Sequence, residues 1–349
     1  MKRRIAIAGL GAAARQIHIP AYARLADLEV VGGYDPAIRE GRFAFPLFPS
    51  LDELLEKTAP DILAVAAPTV HHFELTRKGL LAGCHVLCEK PFMASMEEAN
   101  EIVALSRDRG RWVVVNNQYR FMNIHSGAKN VIGTPEFGDL LFVNANQTFF
   151  ASERTEAGWR GRDLRRTCLE FGSHVLDLCR FFFDEDPVSV CARMPKGRNP
   201  DGPDYLNLIR LEFSGDRVAN VSLDRLSRGP HRYLEMRLDG SSGCVETSIG
   251  GNISFAAGIR GGSRRPYVSL DFTLGGCALL YQGEKARKIA SDPLDLFAHG
   301  TARLMGAYLD ALDRGAVPPC NADDNRRSLA LVLAAYESDA QNQAIAMSY

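Results

Sequence analysis

The stretch Arg4-Ile5-Ala6-Ile7-Ala8-Gly9-Leu10-Gly11-Ala12-Ala13-Ala14 constrains the fold more than any other part of the chain. Its apolar run is that of a strand buried on both faces. The run enters a Gly-x-Gly-x-x-Ala turn, after which Ala13, Ile17, Ala21 and Leu25 fall at helical spacing. In such a strand–turn–helix unit Gly9 permits the tight turn, Gly11 lets the backbone approach a pyrophosphate, and Ala14 takes the packing position. The helix start at Ala12 and Ala13 points unpaired N–H groups at the anion. Asp35 closes the next strand, Val30–Tyr34. An acid there accepts a ribose 2′-hydroxyl and repels a 2′-phosphate, which favours NAD over NADP. Arg39 lies close enough in sequence to soften that preference.

The alternation continues to about residue 120. A helix opens at Ser50, and a third strand, Ile62–Ala66, stops at Pro68. Ala67 and Pro68 then fall where cofactors lie, and His71 and His72 begin a helix closed by Gly83. His85–Cys88 is a strand ending at Glu89-Lys90-Pro91. Ser95-Met96-Glu97-Glu98 is a capping box whose helix runs to Gly110, and Trp112–Val115 is a further strand. This pattern predicts a doubly wound parallel α/β sheet, a Rossmann domain, over residues 1–120.

Beyond residue 121 the pattern changes. A helix over Gly172–Phe183 precedes strands at Val188–Arg193, Tyr205–Phe213, Arg217–Leu223, Tyr233–Asp239, Cys244–Ile249, Ile253–Ala256 and Val268–Thr273, and two helices close the chain. Residues 121–349 therefore read as an α+β domain with a large, mostly antiparallel open sheet. A chain of 349 residues is long for one core, and the absence of a Ser/Gly linker points to tight packing with a site between the halves.

Composition narrows the function. A net charge of -1 offers no basic field for nucleic acid. No apolar run is long enough to span a bilayer. The eight cysteines form no CxxC pair and no zinc spacing, so no metal is expected and the thiols read as reduced and cytoplasmic. Met1-Lys2-Arg3-Arg4 before an apolar stretch mimics a secretion signal, but cleavage after Ala14 would remove the first strand.

Two clusters carry acid–base chemistry. Glu170 and His174 are four apart, on one helical face, so the carboxylate can fix the imidazole tautomer. His174 has the intrinsic pKa of a general base. Asp177 shares that face and could bind substrate hydroxyls, while Phe171, Val175, Leu178 and Phe182 read as core. Lys90 stands where a strand ends, and its ammonium can stabilise an alkoxide. Gln118, Tyr119 and Arg120 close the last parallel strand, where they could touch cofactor or substrate, or serve as hinge or interdomain salt bridge.

The chain resembles the Gfo/Idh/MocA oxidoreductases, the family of glucose–fructose oxidoreductase and inositol dehydrogenase. The carriers are Gly9-Leu10-Gly11, Pro68-Thr69-Val70-His71-His72, Ala82-Gly83-Cys84-His85-Val86-Leu87-Cys88-Glu89-Lys90-Pro91, Trp159-Arg160 and Phe171-Gly172-Ser173-His174-Val175-Leu176-Asp177. The resemblance implies an NAD(P)-dependent enzyme that moves a hydride between nicotinamide and a secondary hydroxyl or ketone of a sugar, polyol or cyclic alcohol. It places Lys90 beside the nicotinamide and the reacting oxygen, His174 as acid/base, and Trp159-Arg160 against nicotinamide and substrate. Glu89, Ala67, His72 and Gln118 join the cofactor set; Tyr119, Arg120, Glu170 and Asp177 join the substrate set. Family members usually carry aspartate where this chain has Glu170, and often asparagine where it has Thr69. The resemblance also implies a homodimer or homotetramer through the open sheet. Three other readings stand beside this one. They are a nucleotide-sugar ketoreductase, served by Arg162, Arg165 and Arg166; a glycosidase using NAD transiently; and a non-catalytic regulator that keeps the cofactor fold.

Overall fold

Six short strands pair in parallel to form the first sheet: β1 (Arg3–Ala8), β2 (Leu28–Tyr34), β3 (Leu47–Phe48), β4 (Ile62–Val65), β5 (His85–Cys88) and β6 (Val113–Val115). Their order, β3-β2-β1-β4-β5-β6, reverses between β1 and β4 and opens a crevice beyond the strand ends there. The computed structural model describes residues 2–38, 40–152, 164–196, 201–228, 233–250, 252–259, 266–273 and 275–349, with backbone alone for most of 252–259 and 266–273. Trp159, Arg160, Arg162 and Arg39 lie outside the described residues.

The sheet is buried on both faces, as its apolar strands require. Ala6, Ala8, Leu63 and Val65 face α2 (Leu51–Thr58, after α1, Ile19–Tyr22), α3 (His72–Leu81) and α4 (Met96–Arg109), through Leu54, Leu80 and Ile102. Ser50 Oγ accepts from Glu53 N–H and Ser95 Oγ from Glu98 N–H, so both expected caps form. The opposite face, with Ile5, Ile7, Ile62 and Ala64, packs on Leu304, Met305 and Tyr308. Those three residues come from near the other end of the chain. The helix after the glycine turn is not regular. Pro20 lacks the N–H that an α-helix would return to residue 16. The turn Ala14–His18 is π-helical instead, and Ile19 N–H donates to Ala14 O.

After α5 (Asn123–Val131) the chain enters β7 (Leu140–Thr148), then α6 (Ser173–Phe183) and a strand series: β8 (Ser189–Arg193), β9 (Leu206–Glu212), β10 (Val218–Asp224), β11 (Leu234–Gly240), β12 (Cys244–Ile249), β13 (Asn252–Ile259), β14 (Pro266–Thr273), β15 (Gly276–Gln282) and β16 (Lys285–Asp292). α7 (Leu296–Asp313), α8 (Ala322–Gln341) and β17 (Ile345–Ala346) end it. Nine strands form one sheet, β16-β15-β12-β11-β7-β10-β9-β8-β17, antiparallel except for β7 against β10. β13 and β14 make a separate hairpin. The central strand β7 falls in a stretch, between residue 121 and Gly172, to which the sequence assigned no element. Its inward Val143 and Ala145 alternate with Asn144 and Asn146, and asparagine is depleted in strands. The inner face of the sheet packs on α6 through Val175, Leu178 and Phe182. α7 packs on the first sheet, although it follows the second in sequence.

Candidate active site

Beyond the β1 and β4 ends lies a cleft of about 470 Å3. Gly9 has φ +93°, and a Cβ there would sit 2.7 Å from the backbone of Ala66 and Ala67. Glycine is thus needed for the turn to touch the β4 end. A Cβ on Gly11 would meet nothing within 4 Å, which leaves the turn open to a ligand. Gly11, Ala12, Ala13, Ala67 and Pro68 line this wall with Glu89, Lys90 and Gln118. Asp35 stands behind it and ties the turn down, with Oδ2 accepting from Leu10 N–H at 2.8 Å and Oδ1 from Ala37 N–H at 2.9 Å.

The opposite wall comes from the second sheet and its helices: Arg165, Arg166, Leu169, Glu170, His174, Tyr233 and Phe297. Asp204 holds the start of this segment. Its buried carboxylate accepts from the backbone N–H groups of Arg166 (2.6 Å), Thr167 (3.0 Å) and Cys168 (2.9 Å). A π-helical turn, Cys168–Gly172, then leads into α6.

Lys90 and His174 meet in this cleft. Lys90 Nζ donates to the main-chain O of Glu170 at 2.8 Å and lies 5.7 Å from the Phe171 ring centre. Its peptide bond to Pro91 is cis. His174 is 3% exposed and stacks flat on Tyr119, with centroids 3.9 Å apart. Its Nδ1 has no hydrogen-bond partner among the described residues. Burial, reinforced by the Lys90 charge, holds its pKa well below the ordinary value, so the ring is neutral. Burial opposes ionisation of Glu89, but contacts with His18, Lys90 and Asn116 outweigh it and bring its pKa to about 2.

The expected Glu170–His174 pair does not form. The Glu170 carboxylate instead forms an ion pair with Arg166, four residues back, so sequence spacing named the wrong partner. Two proposed substrate residues are also committed elsewhere. Arg120 grips Asp177 through Nε (2.6 Å) and Nη2 (2.5 Å) and Asp324 through Nη1 (2.8 Å). Ser328 Oγ donates to the same Asp177 carboxylate at 2.7 Å. These residues tie α6 to α8, and neither Arg120 nor Asp177 lines the cleft. His72 is likewise withdrawn: it is 1% exposed and lies between the carbonyls of Ala67 (Nε2, 2.9 Å) and Pro91 (Nδ1, 2.9 Å). It braces the wall from behind.

Residues 3–117 match the family model described as oxidoreductase family, NAD-binding Rossmann fold, and residues 125–246 match the GFO/IDH/MocA C-terminal domain. The chain belongs to the GFO/IDH/MocA family. It is 27% identical over 207 residues to glucose-6-phosphate 3-dehydrogenase of Bacillus subtilis, covering 56% of this chain and 58% of that one. It is 24% identical over 302 residues to 1,5-anhydro-D-fructose reductase of Ensifer adhaerens, covering 84% and 82%. Against other curated relatives the chain spans about half of their length. A solved oxidoreductase of Agrobacterium radiobacter, in complex with NAD+, L-tartaric acid and magnesium, superposes with a TM-score of 0.81 at 17% identity, covering 99% and 98%. At that identity the likeness is one of fold.

The family's NAD-binding half fits this cleft: the open Gly11 turn and the Ala12–Ala13 helix start would hold a pyrophosphate, and Pro68 and Lys90 line the same wall further along. Several wall residues escaped the sequence reading. Gln16 and Ile17 follow the glycine turn directly and were within reach of the motif. Tyr233, Asp295 and Phe297 arrive from remote elements and left no local signal.

Proposed function

We propose that the protein is an NAD-dependent dehydrogenase or reductase acting on a secondary hydroxyl or ketone of a sugar or polyol. The observation that carries this reading is the convergence of Lys90, just past the end of β5, and His174, on α6, on one cleft beside an open glycine turn. NAD, when bound, supplies the hydride acceptor. The chain's own residues then manage the oxygen and its proton. The Lys90 ammonium, tethered to Glu170 O, hydrogen-bonds the reacting oxygen and stabilises alkoxide charge. His174, kept neutral by burial and by Lys90, is in the form that accepts a proton, and Nδ1 is its unpartnered buried nitrogen. Tyr119 fixes the ring plane by stacking. The relatives' names support a carbohydrate-like substrate. Asp35 supports NAD over NADP.

The test is a screen for NADH or NADPH formation with sugars, polyols and sugar acids, using Lys90→Ala and His174→Ala as controls. The expected result is turnover with NAD that both variants lose. Sugar acids matter because Arg165 stands on the cleft wall. Turnover that survives both substitutions would sink the assignment, and so would NAD failing to bind. We infer also a homo-oligomer through the outer face of the nine-stranded sheet, which exposes Leu141 and Leu208. A monomer in light scattering would refute it.

A further inference from the structure

Behind Lys90 lies a chain of buried polar groups that the reaction above does not use. Tyr22 is 2% exposed, His18 0% and Glu89 7%. The Tyr22 hydroxyl lies 2.7 Å from His18 Nδ1, and His18 Nε2 lies 2.7 Å from Glu89 Oε1. Asn116 Nδ2 donates to the same Oε1 at 2.7 Å, and Thr301 Oγ1 donates to Asn116 Oδ1 at 3.2 Å. Glu89 Oε2 accepts from the backbone N–H of Lys90 at 3.2 Å. Burial raises the Tyr22 pKa, so the phenol keeps its proton and donates to Nδ1. That leaves the His18 proton on Nε2, pointing at Glu89. Every member of the chain has a partner, so the network is rigid rather than frustrated.

Its two ends are informative. His18 ends the π-helical turn that begins two residues after the Gly11–Ala12 corner, and Glu89 immediately precedes Lys90. The two residues are 71 positions apart in sequence. One charge-assisted bond therefore joins the cofactor helix to the segment that carries the lysine. The π turn delivers His18 to the core, where a regular helix would carry one residue fewer around the same arc.

We propose that Tyr22 and His18, acting through Glu89, are positioning residues that hold Lys90 in register with the dinucleotide turn. The proposal rests on the reading of Lys90 given above, so its test includes a measurement that needs no turnover. The intact protein is compared with His18→Leu, which removes the donor; His18→Gln, which returns an N–H to the Nε2 position; and Tyr22→Phe. Each is assayed for kcat, KM and NADH binding by fluorescence, and for the rate at which acetic anhydride modifies Lys90, read by peptide mass mapping. Displacement on the ångström scale costs about 100-fold in rate, so His18→Leu should lose about that factor in kcat while KM stays within about threefold. His18→Gln should recover most of the loss, and Tyr22→Phe should lose about tenfold or less, because one hydrogen bond removed there leaves the Glu89 contact standing. Lys90 acetylation should change severalfold in His18→Leu and return in His18→Gln.

Equal impairment of the Leu and Gln variants would overturn the proposal, as would unchanged kcat and Lys90 reactivity in His18→Leu. If His18→Leu does not fold, Tyr22→Phe decides through the same two readouts, and unchanged values there also overturn it. If the wild-type protein turns over no alcohol, the dehydrogenase reading fails alone and the acetylation rates still judge the positioning.

Discussion

The two walls of the cleft are built differently. The first comes from strand ends within one short stretch type: Gly11–Ala13, Ala67–Pro68 and Glu89–Pro91 each follow a parallel strand directly. The second draws on the π turn before α6, the start of β11 and the start of α7. The first wall depends on backbone shape, with Gly9 pressed on Ala66. The second depends on side chains held by long-range partners, such as Asp204 on the backbone of Arg166 and Thr167. The difference teaches that a wall built at parallel strand ends can be written as local motifs, whereas the wall facing it is assembled by tertiary packing.

The largest expected effect lies where the walls meet. Lys90→Met and His174→Asn should each lower kcat by about 10²- to 10⁴-fold, the range for a positioned acid–base group. They should differ in pH behaviour. Lys90 helps depress the His174 pKa, so its removal should move the acid limb of the pH–rate profile upward. A profile from Lys90→Met identical to wild type would show that the Lys90 charge does not act on His174 and would count against the joint acid–base role proposed for them.

The next effect separates wall from scaffold. Asp177 is 1% exposed and gripped by Arg120, with Arg180 3.6 Å away. Asp177→Asn leaves buried guanidinium charge short of its partner, a change that costs about 3–5 kcal/mol. Urea denaturation should show that loss while NADH affinity stays unchanged. Weakened substrate binding with full stability would return Asp177 to a place beside the substrate, as its helical face shared with His174 suggests.

Legibility follows the same division. The glycine turn, the strand end before Lys90 and the alternation of strands and helices in the first 120 residues could be read because each is a local pattern with a backbone cause. Helix α8 was also legible, since Asn321 caps it and its apolar spacing is regular. β7 was not, because asparagine at 144 and 146 is depleted in strands and the polar Gln147 takes an inward position. The Glu170–His174 pairing misled because helical spacing says which residues are neighbours but not which competitor, here Arg166, will take the carboxylate. His18 was invisible for a related reason: its partner Glu89 is distant in sequence, and a π turn places it.

A buried histidine stands behind each wall, and acid should find both. His72 braces Ala67 and Pro91, and His125 Nδ1 donates to Tyr119 O at 2.8 Å. Burial lowers both pKa values, that of His125 to about 4. Below an unfolded-state value of about 6.5 the unfolded chain binds protons that the folded chain refuses, so stability falls as pH drops from about 6.5 toward 4. For His125 the loss is about 2 kcal/mol at pH 5. Glu89, with its pKa brought to about 2, stays ionised in the folded chain, and its stabilisation is lost as pH falls below the unfolded carboxylate value of about 4.3, so at pH 5 it adds little to the difference. Urea midpoints at pH 7.5 and pH 5 should differ less in His125→Asn than in the parent. An unchanged difference would show that the second wall gains no acid sensitivity from this residue.

The smallest effect bears on how far a local motif can be trusted. Asp35 has two possible duties at the first wall: it ties the glycine turn through Leu10 and Ala37 N–H, and it could accept a ribose hydroxyl through its remaining lone pairs. Asp35→Asn keeps the shape, removes the charge, and retains one amide oxygen for the turn. If the carboxylate reads the ribose, NADH affinity should fall and NADPH affinity rise, shifting their ratio by about tenfold, since a 2′-phosphate no longer meets a like charge. If Asp35 only braces the turn, both affinities should fall together and the melting temperature with them. Fluorescence titration with the two reduced cofactors distinguishes the outcomes. A parallel fall would mean that even this wall, the one most fully written in local sequence, takes its cofactor choice from residues brought in by packing.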